Sequence, residues 1–276
     1  MAITAADVNK LRQQTGAGMM DCKNALVESN GDFETAIDIL RKKGQKIAAK
    51  RGENEAREGV IFAQSSDSGK EGVILALNCE TDFVAKNDNF RSFVQNIMDV
   101  AIQNLPTTID ELKALPFDNK LSVEEKITEQ IGVIGEKLDL SKYALLTGKK
   151  VVSYNHPGNQ LATLVSVNSD SKDAEEAGRQ VAMQVAAMNP LALNKEGVDQ
   201  HTIDREIEIG KELAIQEGKP ADMAEKISIG RLNKFFQENT LLSQAFIRDN
   251  KITVEQFLQN TEKGLTVEQF YRFSLR

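Results

Sequence analysis

The chain runs twice through one order of elements: strand, turn, strand, polar loop, amphipathic helix. "GVIFAQ" and "GVILALN" read as strands joined by the turn-rich "SSDSGKE". Phe90, Phe93, Val94, Ile97, Met98, Ala101 and Ile102 then recur at the spacing of one buried helix face. Later, "KKVVSYNH", "PGNQ" and "LATLVSVN" lead through a second polar loop into "AEEAGRQVAMQVAAMNP". This internal repeat predicts an α+β fold with a duplicated core and antiparallel sheets. One core half is expected over 59–148, the other over 149–197 and 238–276. The second loop is shorter and lacks the Asp82–Phe83 pair of the first, which singles the first loop out.

Three further parts flank or interrupt the duplication. Residues 1–44 read as a small three-helix domain. Thr4 and Asp7 suit a capping box, and Ala5, Val8 and Leu11 share one face. Gly16 and Gly18 break the chain, Met19, Cys22 and Leu26 recur at helical spacing, and Asn30-Gly31 ends that helix. Asp32 caps a third helix with Phe33, Ile37 and Leu40 inward and Gly44 as its stop. Residues 45–58 have the charged, apolar-poor composition of a linker, helical in part. Ser122 and Glu125 open a helix with Val123, Ile127, Ile131 and Ile134 on one side. Over 198–237 two helices are expected to form an antiparallel hairpin, reversed at Gly218 and Pro220. Ile203, Ile207 and Leu213 on its first arm answer Met223 and Ile227 on its second, with Gly210, Ala214 and Gly230 allowing close approach. The tail carries a short helix over 253–259. Leu265, Val267, Tyr271, Phe273 and Leu275 then alternate as in a strand, interrupted at Gln269.

Composition narrows the function. A net charge of −7 and the absence of Trp oppose a nucleic-acid surface, which needs clustered cations and stacking rings. The basic stretch Arg41, Lys42, Lys43, Lys46, Lys50 and Arg51 could contact an acidic partner, and reads chiefly as a solvated connector. Cys22 and Cys79 are too few for a zinc site or a disulfide framework and suit a reducing compartment. The opening "MAITAADVNKLR" has no signal-peptide pattern, and no run of about 18 apolar residues occurs. A cytoplasmic protein is expected, with no membrane partner.

Candidate chemistry is sparse. Cys79 beside a loop, with His156 in a hairpin turn, is the one imaginable nucleophile–base pair, and both also fit purely structural places. "GAGMMDCK" lacks the spacing of a phosphate loop, and "SDSKDAEE" reads as a helix start rather than a calcium loop. No cofactor and no metal is expected. The Asp82–Phe83 pair is left open by pattern alone: the ring is either tucked under its loop or exposed as a wedge for a partner's pocket.

"CETDFVAKN" resembles the signature of the elongation factor Ts family, guanine-nucleotide exchange factors of the bacterial GTPase elongation factor Tu. The resemblance extends to "LRQQTGAGMMDCKNAL", "IGEKLDL", "SYNHPGN" and "MAEKISIGRLNKFFQENTLLSQAFI", and so over essentially the whole chain. It implies a translation elongation factor of protein biosynthesis that is not an enzyme, with a ubiquitin-associated-like N-terminal domain and a coiled-coil projection. It also implies a division of labour in binding elongation factor Tu. Met19 and Met20 dock on the nucleotide domain, and Thr81, Asp82, Phe83 and Val84 push in near the magnesium. Ile134, Gly135 and Glu136 add a contact, and His156 belongs to a second grip. The hairpin is a possible homodimer contact. Some family members continue past the last strand into a further helix; with Arg276 as the last residue, that contact is expected to be missing. Outside the resemblance, a Cys79–His156 enzyme and an RNA-binding translation protein stand as alternatives.

Overall fold

The computed structural model describes residues 3–275. The chain forms two compact units. One takes in the N-terminal stretch through Phe62 together with Leu75–Ala144; the other takes in Ala63–Ile74 and Leu145–Ser274.

The first unit begins with α1 (Ala5–Thr15), α2 (Met19–Glu28) and α3 (Phe33–Arg51). The Thr4–Asp7 capping box forms, and Gly16 closes α1 in a left-handed cap with φ 70°. Val8, Leu11, Cys22, Leu26 and Ala36 make the small core, with Phe33, Ile37 and Leu40 packed against it. Two expectations fail here. Ala5 faces outward, not inward with Val8 and Leu11, while Met19, at helical spacing with Cys22, is half exposed. Gly44 does not stop α3, which continues to Arg51 through the stretch expected to be linker. The glycine serves a helix crossing instead. A Cβ at Gly44 would stand 3.2 Å from the Thr128 carbonyl oxygen of a facing helix, so the missing side chain admits that backbone.

The strands β1 (Glu58–Ser65) and β2 (Glu71–Cys79) follow, with a short helical turn α4 (Asp82–Ala85) where a loop was expected. Helix α5 (Asp88–Asn104) buries Phe90, Phe93, Val94, Ile97, Met98 and Ala101, the face that periodicity assigns. Each of these side chains larger than Ala101 contributes roughly 1.5–3 kcal/mol by leaving water. After α6 (Ile109–Ala114) comes α7 (Val123–Ile134), started by the Ser122–Glu125 capping box and ended by Gly135 at φ 80°. Strand β3 (Leu138–Thr147) then completes a sheet in the order β1-β2-β3. Neither α6 nor β3 is in the sequence reading, although Leu138 and Leu140 alternate inward with exposed Asp139 and Ser141 as a half-buried strand requires.

The second unit repeats the plan. β4 (Lys150–Asn155) and β5 (Leu161–Val167) pair antiparallel and lead to α8 (Lys172–Met188), capped by Ser171. Val181, Ala182 and Val185 of α8 pack with Val152, Val165 and Val167. Then come α9 (Gln200–Gln216) and α10 (Ala221–Asn239), the expected helical hairpin, with Gly218 at φ 78° in the turn. Its seam differs from expectation. Gly210, Ala214, Ala224 and Ser228 are buried, whereas Leu213 and Met223 point outward and Gly230 faces open space. Small residues bring the two arms close, and long ones at the seam would hold them apart. The chain ends through a two-stranded ribbon, β6 (Ala245–Phe246) and β7 (Asp249–Thr253), absent from the sequence reading. Helix α11 (Val254–Thr261), with its Thr253–Gln256 capping box, and β8 (Val267–Ser274) are as expected. β8 joins β5 antiparallel, giving the order β4-β5-β8. The fold is α+β, and in each copy the hairpin's second strand is central.

Candidate partner-binding site

The first loop is short, charged and held at its base. Thr81 has extended backbone (φ −123°, ψ 153°), and its Oγ1 accepts from the Val84 N–H at 3.4 Å, capping α4. The same hydroxyl donates to Glu136 Oε1 at 2.7 Å, and the Thr81 N–H donates to Glu136 Oε2 at 3.1 Å. One residue earlier, Glu80 answers in the other direction: the Lys137 N–H donates to its Oε1 at 2.6 Å. Arg51 Nη1 lies 2.9 Å from both Glu80 oxygens, and Asn54 Nδ2 donates at 3.0 Å. Burial works against the Glu80 anion, but the Lys137 amide, Arg51 and Asn54 together hold its carboxyl below the ordinary glutamate range.

On this base stands the pair that was left open. Phe83 is 84% exposed, so the ring is not tucked under its loop. A four-residue helical turn is too short to bury a face, and its inward place goes to Ala85. Asp82 is held to Lys86 Nζ at 2.6 Å, an i,i+4 pair that lowers its carboxyl pKa and keeps the charge on the rim. Phe83 and Val84 border an open groove of about 410 Å³ with Val133 and Ile134 at the end of α7. Thr81, Asp82, Phe83, Val84, Ile134, Gly135 and Glu136 are therefore brought together, although Thr81 and Glu136 lie 55 positions apart in the chain. Their duties differ, because both oxygens of Glu136 are engaged by Thr81.

Met19 and Met20, 50% and 62% exposed, open α2. The α1–α2 turn rests on the same helix end: a Cβ at Gly16 would meet Val133 Cγ1 at 3.8 Å. His156 belongs to the second unit. It sits at the β4–β5 turn, its N–H donating to the Leu161 carbonyl at 2.9 Å and its Nδ1 lying 2.9 Å from the Tyr154 hydroxyl.

The alternatives find little support in this geometry. Cys79 is buried; its Sγ donates to the Thr81 carbonyl oxygen, and burial, with the charges of Glu136 and Glu58, pushes the thiol up to about 12. A nucleophilic cysteine needs the opposite shift. In the basic stretch, Arg41 pairs with Asp38, Lys43 with Asp21 and Arg51 with Glu80, which leaves less charge for phosphates. Among the described residues, no helix is long and apolar enough to cross a membrane.

Residues 80–276 match the family described as Elongation factor TS. The chain is 52% identical to elongation factor Ts of Cytophaga hutchinsonii, over 99% of each protein. Against its counterpart in Porphyromonas gingivalis it is 49% identical over 100% of this chain and 99% of the other. The figure is 42% for Chloroherpeton thalassium, over 99% of this chain and 98% of the relative.

The chain belongs to the elongation factor Ts family.

The family match opens at Glu80, so Glu80, the Asp82–Phe83 pair, residues 134–136 and His156 fall inside it, while Arg51 and Asn54 of the loop base lie before it. Met19 and Met20 lie outside that match but within the span shared with the elongation factor Ts relatives. Glu80 and Lys137 escaped the sequence reading, which placed Arg51 only in a basic connector. "CETDF" and "GEKLD" each place an acid before a residue whose amide it could serve, but nothing in local spacing says that the two segments meet.

Proposed function

We propose that this protein promotes release of GDP from elongation factor Tu by pressing Phe83 into the GTPase beside its magnesium and phosphate site. Family membership supports the coarser part, an exchange factor of translation elongation acting in the cytoplasm. The observation that carries the finer part is Phe83 itself: a large ring left in water on a base of fixed geometry. Such a ring gains roughly 1.5–3 kcal/mol on entering an apolar cleft. Each tenfold in a release rate takes about 1.4 kcal/mol, so Phe83 alone supplies one to two decades. Disturbed magnesium coordination, to which the carboxylate of Asp82 beside Phe83 in the chain contributes, and further contacts supply the rest. Met19, Met20 and Ile134 share the first unit with Phe83, and His156 belongs to a second grip. Exchange factor and nucleotide weaken each other's binding to the GTPase by the same factor, so release is hastened without choosing GDP or GTP. No bond is made or broken by this chain.

Stopped-flow release of a fluorescent GDP from elongation factor Tu tests this. Phe83→Ala is expected to lower the maximal rate by about ten- to a hundredfold, with a smaller loss in complex formation; Asp82→Ala should cost less. An unchanged rate for Phe83→Ala overturns the reading. The outward Ile209, Leu213, Met223 and Ile229 of the hairpin favour a second role, pairing of two copies. Sedimentation equilibrium tests it: a monomer at all concentrations rules it out.

A further inference from the structure

The base of the Phe83 turn is a crossed clasp. Residues 80–81 and 136–137 exchange carboxylates, Glu136 taking the Thr81 N–H and Glu80 taking the Lys137 N–H. The arrangement gains a third member in the end of α3. Arg51 Nη1 bridges both Glu80 oxygens, and Lys137 Nζ donates to the carbonyl oxygens of Gly52 at 2.7 Å and Asn54 at 3.0 Å. With only 16% of its side chain exposed, Glu80 binds both other segments through its carboxylate, and Lys137 does the same from the opposite side. A carboxylate so placed is costly to bury without such donors, which is unneeded expense for a solvated loop.

We infer that Glu80 is a positioning residue for exchange: through Arg51 and Lys137 it locks the Phe83 turn to the end of α3, the helix that continues from the Met19–Met20 module. Docking by that module then delivers the ring at a set place and angle, rather than on a tether that must be ordered at each encounter. Glu136 is the other half of the clasp, acting on Thr81 within this chain. This inference rests on the wedge reading of Phe83.

The experiment uses the full chain and two readouts. The protein has no Trp, so Phe83→Trp introduces a single indole whose fluorescence anisotropy reports motion of the turn in the free protein. Adding Glu80→Ala is expected to lower that anisotropy, and Glu80→Gln, which keeps an acceptor for the Lys137 N–H, to lower it less. With Phe83 restored, Glu80→Ala should reduce the maximal rate of GDP release about tenfold while moving the half-saturating concentration less than about twofold. A merely structural loss would lower the active fraction, and raising the protein concentration would restore the rate; that result overturns the inference. So does an unchanged anisotropy in a folded Glu80→Ala protein. Should Glu80→Ala fail to fold, Arg51→Ala removes the side-chain bridge from α3 to Glu80 but keeps the Lys137 and Asn54 bonds; the same two readouts apply, with smaller losses expected. If Phe83→Ala leaves release unchanged while Glu80→Ala frees the indole, the wedge reading fails and the clasp stands.

Discussion

Gly132 on α7 faces Gly44 on α3 so closely that a Cβ added to Gly132 would stand 2.7 Å from the Gly44 Cα. A side chain on α7 has no room at this crossing and one on α3 would fit only tightly, and the crossing is what seats the N-terminal helices on the first core half. Gly132→Ala should gain about 1 kcal/mol of helix propensity but lose about 1–3 kcal/mol to the backbone clash. The expected outcome is net destabilisation, read as a lower urea midpoint, with looser amide protection along α3. An unchanged midpoint would show that the helices can separate freely here.

Phe83 presents the opposite case. With its ring in water, truncation removes almost nothing from the folded state, so Phe83→Ala should shift stability by no more than about 0.5 kcal/mol. Thermal denaturation beside the exchange assay separates a functional ring from a structural one. A loss of about 3 kcal/mol or more, the cost of truncating a buried aromatic, would mean that the ring packs in solution.

The hairpin offers a matched pair. A Cβ at Gly210 meets the Ser228 Cα and Cβ at 3.1 Å, whereas a Cβ at Gly230 meets nothing within 4 Å. Gly210→Ala should therefore push the arms apart and lower hairpin stability. Gly230→Ala should raise it by about 0.5–1 kcal/mol through helix propensity alone. Local hydrogen exchange in α9 and α10 distinguishes the two, and equal effects would contradict the seam.

Both cysteines are buried, and the Cys79 thiol is pushed up to about 12. At pH 8 the folded protein should react with a disulfide reagent far more slowly than the unfolded chain, with Cys79 labelled only through opening of the first unit. Rapid labelling of Cys79 in the native protein would revive the cysteine-enzyme reading.

Glu80 has a folded pKa below its ordinary value of 4.5, so its contribution is fully present above that value and is lost as pH falls through the depressed one. Anisotropy of the Phe83→Trp indole should stay level from neutral pH down to about 4.5 and drop below it. In Glu80→Gln this drop should be smaller. Identical acid profiles for the two proteins would show that Glu80 does not hold the turn.

Local interactions were legible in the residues, because three-residue spacings make their own contacts. The Thr4–Asp7, Ser122–Glu125 and Thr253–Gln256 capping boxes, the buried face of α5 and the glycine-led reversal of the hairpin all follow from neighbours in the chain. The duplicated core was legible for the same reason, since each copy spells its own hairpin and helix. Long-range matters were decided only by tertiary structure. Gly44 reads as a helix stop until Gly132 stands opposite; Leu213 and Met223 read as a seam until Gly210 and Ser228 take that place. Glu80 and Lys137 become partners only when β2 and the start of β3 come together. Periodicity tells which side chains share a face, but burial and pairing depend on what the rest of the chain sets against that face.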